Sequence, residues 1–204
     1  MFARDNRIIR RYAAQSPEHM YHALVFAITS AQTRLAENVA ATEFIRSIGS
    51  GIESLEYASL PVAVRSRCGT GLNVTKVRYL QHAWRNRREW YQVMSDSDAV
   101  TWWHYLLDHA QGLGLVKAAF AVQLTKGELG CLDTHNVRRF GVDPKIATAK
   151  KQSATAREAY LEAQSLMTSG DWWDTWCNCV AERYSNIYQS GDEVSALHAS
   201  AIIG

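Results

Sequence analysis

Apolar residues return every three or four positions along most of the chain. That is the period of one helix face, not the alternation of a half-buried strand. Ser16-Pro17 supplies a cap and a first-turn residue. Behind it Met20, Tyr21, Leu24, Val25 and Ile28 mark a helix. Thr33 is placed to cap a second, with Leu35, Val39 and Ile45 inward and Gly49 near its end. Ser59-Leu60-Pro61 starts a short one. Asn73 caps the next, which carries Val74, Val77, Leu80 and Trp84 on one stripe and basic residues on the other. Ser97 or Asp98 opens a helix through Trp102, Trp103, Leu106 and Leu107 that runs into Gly112-Leu113-Gly114. A helix from Leu115 to about Thr125 comes after the turn. Thr134 caps a short helix, and Thr155–Met167 and Asp171 to about Tyr188 form two more. From Ser190 the pattern weakens, and the tail is expected to pack loosely. The pattern predicts an all-α fold class, with no internal repeat and no low-complexity linker.

Composition narrows this picture. The 204 residues, 47% of them apolar, suffice for one domain or two small helical lobes sharing a core. No apolar run approaches the roughly 18 residues of a membrane span. The N-terminus, MFARDNRIIRR, is charged and lacks the apolar stretch of a secretory signal. Cys68, Cys131, Cys177 and Cys179 form no paired framework, so a reducing, cytoplasmic setting is expected, and the lack of a long apolar run predicts no membrane partner.

The net charge of +2 hides an uneven distribution. Between Tyr57 and Arg88 there is no Asp or Glu, while Arg65, Arg67, Lys76, Arg78, Arg85, Arg87 and Arg88 all fall there. The N-terminus adds Arg4, Arg7, Arg10 and Arg11. Such clustering fits a phosphate-backbone binder, and it equally fits a solvated basic helix face.

The residues best suited to chemistry lie in the Gly112–Gly114 turn and in the stretch just C-terminal to it. Two glycines in a short hairpin let backbone N–H groups approach a phosphate at the start of the next helix. About twenty residues later Leu132-Asp133-Thr134-His135 presents one carboxylate. Asp133 either stabilises a cation or activates a nucleophile on a nucleotide held there, or it caps the helix at Thr134–Arg139. Trp102, Trp103, Trp172, Trp173 and Trp176 are read mainly as core.

Four ordered segments resemble the helix-hairpin-helix DNA glycosylase superfamily, to which endonuclease III and the adenine glycosylases belong. They are Ile28-Thr29-Ser30-Ala31-Gln32-Thr33, Gly71-Leu72-Asn73 with Lys76 and Leu80, Gln111-Gly112-Leu113-Gly114, and Leu132-Asp133-Thr134-His135. With their order and spacing, the resemblance covers roughly residues 18–188. The resemblance implies a two-lobe all-α fold, with residues 34–140 in the lobe that holds the hairpin and residues 1–33 and 141–204 in the other. It implies double-stranded DNA in the cleft and a target base flipped into a pocket. Asp133 matches the catalytic aspartate, Gly112 and Gly114 the phosphate-binding hairpin, and Gln32 a residue near the vacated stack.

Two departures matter. Bifunctional members carry a Schiff-base lysine two residues after the second hairpin glycine. Here that position is Val116, and Lys117 comes one residue later, about 100° further round a helix. Strand cleavage is therefore not expected. Cys177 and Cys179 are only a pair, so no iron–sulfur cluster is expected and no cofactor is assigned; a divalent metal is left open. Gly-Leu-x-Leu-x-Lys-Ala followed by Gly-Cys-Leu-Asp-Thr-His-Asn is similar to the bacteriophage amino acid:DNA transferases, or α-glutamyl/putrescinyl-thymine pyrophosphorylases. Members displace pyrophosphate from activated 5-hydroxymethyluracil with an amine such as glycine. The resemblance implies a free amino acid as co-substrate; a monomer is expected.

In that reading Lys117 and Arg138 or Arg139 neutralise the departing pyrophosphate; alternatively Lys117 is an exposed lysine on DNA phosphate. His135 orients Asp133, contacts the base or makes a structural hydrogen bond. Asn136 meets a base edge or supports the turn. Lys76 and Arg78 hold the DNA backbone or are solvated. A monofunctional base-excision glycosylase is the alternative function.

Overall fold

The computed structural model describes residues 2–166 and 168–204, leaving the side chains of residues 2–4, 135 and 169 aside. Among the described residues there are helices and turns but no strand. The first helix, α1 (Phe2–Ala13), is followed by α2 (Pro17–Thr29), where Ser16 Oγ accepts from His19 N at 3.1 Å. Nine of the thirteen residues of α2 are buried, and it packs against α1, α3 (Leu35–Ile48), α5 (Val74–Asp96), α7 (Leu115–Lys126) and α12 (Gly191–Ile203). A helix apolar on nearly every face belongs at the centre.

Between α3 and α5 lie two short 3-10 turns, α4 (Val62–Cys68) and a third turn at Gly69–Gly71. Thr33 is not the cap of α3: Arg34 stands there without a side-chain bond, and the Thr33 hydroxyl donates to Ala31 O and accepts from Lys76 Nζ. Pro61, not Ser59, adjoins α4. Asn73 does cap α5, its Oδ1 accepting from Lys76 N at 2.9 Å. Asp98, the second of two candidates, caps α6 (Ala99–His109).

After α7 come α8 (Thr134–Arg139), α9 (Lys145–Thr148), α10 (Ala154–Gln164) and α11 (Ser169–Arg183). At four residues, α9 is too short to carry a periodic signal. Ser153 caps α10; the expected end at Met167 falls on a residue outside the described ones. A Thr168–Asp171 capping box starts α11, which stops at Arg183, short of Tyr188.

The C-terminal segment corrects the expectation of a loose tail. It forms α12, capped by Ser190, with Val194, Ser195, His198, Ala201 and Ile202 buried. Helices α1, α2, α3 and α11 all pack on it, and Arg46 of α3 donates to Ser200 O and Ala201 O. Contact on several sides removes the polar stripe that makes a helix legible.

One contiguous apolar core joins these elements. Trp102, Trp103, Trp172 and Trp173 are within it. Three of their indole N–H groups are satisfied: Trp102 by Thr125 Oγ1, Trp103 by Leu115 O and Trp173 by Ser195 Oγ. No helix among the described residues is long and apolar enough to cross a membrane.

Candidate active site

The turn between α6 and α7 uses its two glycines differently. Gly112 has φ +80°, and a Cβ there would lie 2.2 Å from Tyr79 Cδ2, so the fold itself demands glycine. Gly114 has φ −95°, open to any residue, and a Cβ there would meet nothing within 4 Å. The second glycine therefore leaves free space before the first turn of α7, where no side chain caps the helix. Trp103 Nε1 donates to Leu115 O at 3.1 Å and Lys151 Nζ to Ala110 O at 3.3 Å, fixing both ends of the turn.

The loop leading to Asp133 is held from α10 and α11. Tyr160 OH accepts from Leu132 N at 3.1 Å and donates to Gly130 O at 2.9 Å. Gln164 accepts from Gly130 N at 2.6 Å. The Trp172 ring occupies the space a Cβ on Gly130 would need. Asn136 is fully buried and donates to Cys131 O and Trp172 O, so it supports the turn and reaches no base edge. Burial pushes the Cys131 thiol up to about 12, with the Asp133 charge adding to the effect.

Asp133 itself does two things. One oxygen accepts from Asn136 N at 3.2 Å, the bond of an N-cap, so Asp133 and not Thr134 caps α8. The other accepts from Trp176 Nε1 at 2.7 Å. The Trp176 ring in turn packs edge-on against buried His198, with centroids 4.7 Å apart. Capping and facing the cleft are thus compatible roles of one carboxylate.

Two adjoining chambers open beside it. The outer one, about 530 Å³, is walled by the Ser30–Thr33 loop, Gly114–Lys117, Asp133 and Ala147–Ala149. The inner one, about 370 Å³, shares Gln32, Lys117 and Asp133 with the first and is further lined by Arg34, Trp176 and Arg183. Both volumes are in the range of small-ligand sites. Lys117 lines both chambers, so the one-residue offset keeps it in the cleft. Gln32 is exposed with φ +54°, a strained backbone for a non-glycine residue at the mouth.

Lys76 is a correction. It is 7% exposed, and its ammonium lies within 2.7–2.8 Å of Thr29 O, Ala31 O, Thr33 Oγ1 and Thr70 O, which leaves no donor for a phosphate. Arg78 is exposed but lines a separate depression with Tyr57 and Gln81. The His135 side chain lies outside the described residues. Much of the basic run finds partners within the protein: Arg67 pairs with Glu43, and Arg87 pairs with Glu18 while stacking over Trp84. Arg34, Trp176 and Arg183 are site residues that sequence reasoning misses; an arginine or tryptophan in a helical pattern carries no local mark of a cleft. Among the described residues no group of three or more His, Cys, Asp or Glu side chains is placed to hold a metal ion.

No protein-family model matches the chain, and no curated sequence is significantly similar to it. Solved structures are similar. The 8-oxoguanine DNA glycosylase of Thermotoga maritima aligns over 99% of this chain and 88% of its own, with a TM-score of 0.62 and 15% identity. The 8-oxoguanine glycosylase/lyase of Methanocaldococcus jannaschii, bound to a 15mer DNA containing 8-oxoguanine, aligns over 91% and 89%, with a TM-score of 0.65 and 15% identity. The chain shares the all-α fold of these two structures.

Proposed function

We propose that the protein flips a modified pyrimidine out of double-stranded DNA into the Asp133 chambers and transfers an amino acid to it. The favoured substrate is 5-hydroxymethyluracil activated as its pyrophosphate. One observation carries the reading: Asp133 and Lys117 share the walls of a cleft whose mouth holds the Gln32 loop and the open Gly114 turn. A carboxylate and a cation suit the two ends of one displacement. The C–O bond to pyrophosphate breaks with its electron pair leaving on oxygen, and positive charge develops on the methylene carbon and into the ring. Asp133 stabilises that charge, a contribution of several kcal/mol, roughly that of one oxyanion-hole donor. The amine nitrogen then forms the C–N bond and its proton passes to Asp133. Lys117 neutralises the leaving group. Arg34 and Arg183 in the inner chamber add to the same charge balance.

Base excision is the second reading, favoured by the fold shared with two 8-oxoguanine glycosylases. Asp133 then stabilises charge on the sugar and activates water. Mass spectrometry of nucleosides separates the two. DNA carrying pyrophosphorylated 5-hydroxymethyluracil or common damaged bases is incubated with the protein and a pool of amino acids. A nucleoside heavier by an amino-acid residue, with pyrophosphate released, is the expected result. A free base with an abasic strand establishes excision instead. Unchanged DNA under tight binding overturns both.

A further inference from the structure

A shallow, open surface depression of about 480 Å³ is lined by Arg138, Arg139, Cys179, Glu182 and Arg183. Arg183 lines both this depression and the inner chamber. Arg138 and Arg139 sit in the last turn of α8, and Arg183 in the last turn of α11. All three are exposed, and none is in an ion pair among the described residues. Arg67, Arg87 and Arg157, by contrast, each hold a carboxylate. A cation at a helix C-terminus complements the macrodipole. Two helix ends converging with three guanidiniums against the single carboxylate of Glu182 go beyond that need, because like charges brought together repel without a counter-ion. A concave surface of planar, forked donors is what a phosphate oxygen set matches.

We infer that Arg138, Arg139 and Arg183 form a second phosphate-binding site, separate from the Gly114 turn. The same chemistry has two sources: a backbone phosphate of the DNA, or a phosphate carried on the flipped base and released from it. The second source rests on the transfer reading above; the first does not. Its place fits either. It meets the inner chamber at Arg183, between the C-terminal ends of α8 and α11, whereas the Gly114 turn walls the outer chamber.

The test uses Arg183→Gln, the double variant Arg138→Gln/Arg139→Gln, and Arg11→Gln as an exposed control on α1. Affinity for a plain duplex is measured against salt, and affinity for inorganic pyrophosphate by calorimetry. A backbone source lowers the salt slope of the site variants by about 0.9 per lost contact. A carried source leaves that slope unchanged and weakens pyrophosphate binding by about tenfold or more. Site variants that match the wild type in both measurements overturn the inference. Arg183→Lys, which keeps the charge and loses the fork, guards against a folding artefact: a retained melting temperature with intermediate binding is expected. Transfer is read separately in the nucleoside assay: wild-type protein that performs no transfer yet shows the arginine-dependent slope or pyrophosphate binding removes the proposed chemistry and keeps this site.

Discussion

Lys76 keeps its charge inside the molecule, where one ammonium ties the end of α2, the Gln32 loop and the Gly69–Gly71 turn together. Burial lowers it to about 8, with the nearby Lys117 charge adding to the effect, while four oxygens at hydrogen-bond distance favour the ammonium. Lys76→Met would strip the donor from buried oxygens and should destabilise the fold by about 3 kcal/mol. Thermal melting reads that loss. The salt slope of DNA binding should stay unchanged in protein that remains folded; a slope lower by about 0.9 would restore Lys76 to the phosphate backbone. Asp133 poses the complementary question. Asp133→Asn should abolish turnover and leave DNA binding nearly intact. Trp176→Phe keeps the ring on His198 and removes only the N–H given to Asp133. A hydrogen bond to a charged group is worth about 1.5–3 kcal/mol, so kcat should fall roughly tenfold to a hundredfold with KM little changed. Turnover at the wild-type level would show that Trp176 does not position the carboxylate.

At the scale of elements, the hairpin and the Asp133 loop are rigid for separate reasons, and each can be tested alone. Gly114→Asp adds a carboxylate to an open backbone position without strain, so its effect falls on whatever approaches the turn. DNA affinity should weaken several-fold at every salt concentration, with no change in melting temperature. Tyr160→Phe removes the hydroxyl that bonds Leu132 N and Gly130 O. It should cost about 1–3 kcal/mol of stability. The same division explains which features are legible in the sequence. Ser16, Asn73 and Asp98 cap their helices through a backbone N–H three residues on, and Gly112-Leu113-Gly114 is a local turn, so the sequence carries these directly. The helix α12 is not legible because it is contacted on several sides, and Thr33 misleads because its hydroxyl serves Lys76. In the site, Asp133 sits in a short motif. Its partner Trp176 lies 43 residues away, and Tyr160 reaches Leu132 across 28. Only tertiary packing brings those pairs together, and neither tyrosine nor tryptophan announces such a role in a helical pattern.

For the whole molecule, pH links the core to the site through His198. This side chain is fully buried among Phe26, Trp173 and Trp176, and its Nε2 has no hydrogen-bond partner among the described residues. Burial lowers it to about 4, and burial likewise lowers His22 to about 4, where Tyr12 OH lies 2.7 Å from its Nδ1. Both folded values are below the ordinary histidine range. As pH falls below about 6.5 the unfolded chain takes up protons that the folded chain refuses. The stability these two groups contribute is complete above that point and is lost as pH drops through about 4. Glu18 and Asp108 are held below their ordinary values too, so the stability they contribute is lost at still lower pH. The melting temperature should therefore hold steady from neutral pH to about 6.5 and then fall by on the order of 10–20 °C toward pH 4. His198→Leu removes one of the two protonation sites and should make that fall shallower; identical curves would show that His198 does not set the acid limit. Because the His198 ring abuts Trp176, which holds Asp133, the wild-type protein should also lose turnover earlier in the same window than His198→Leu does.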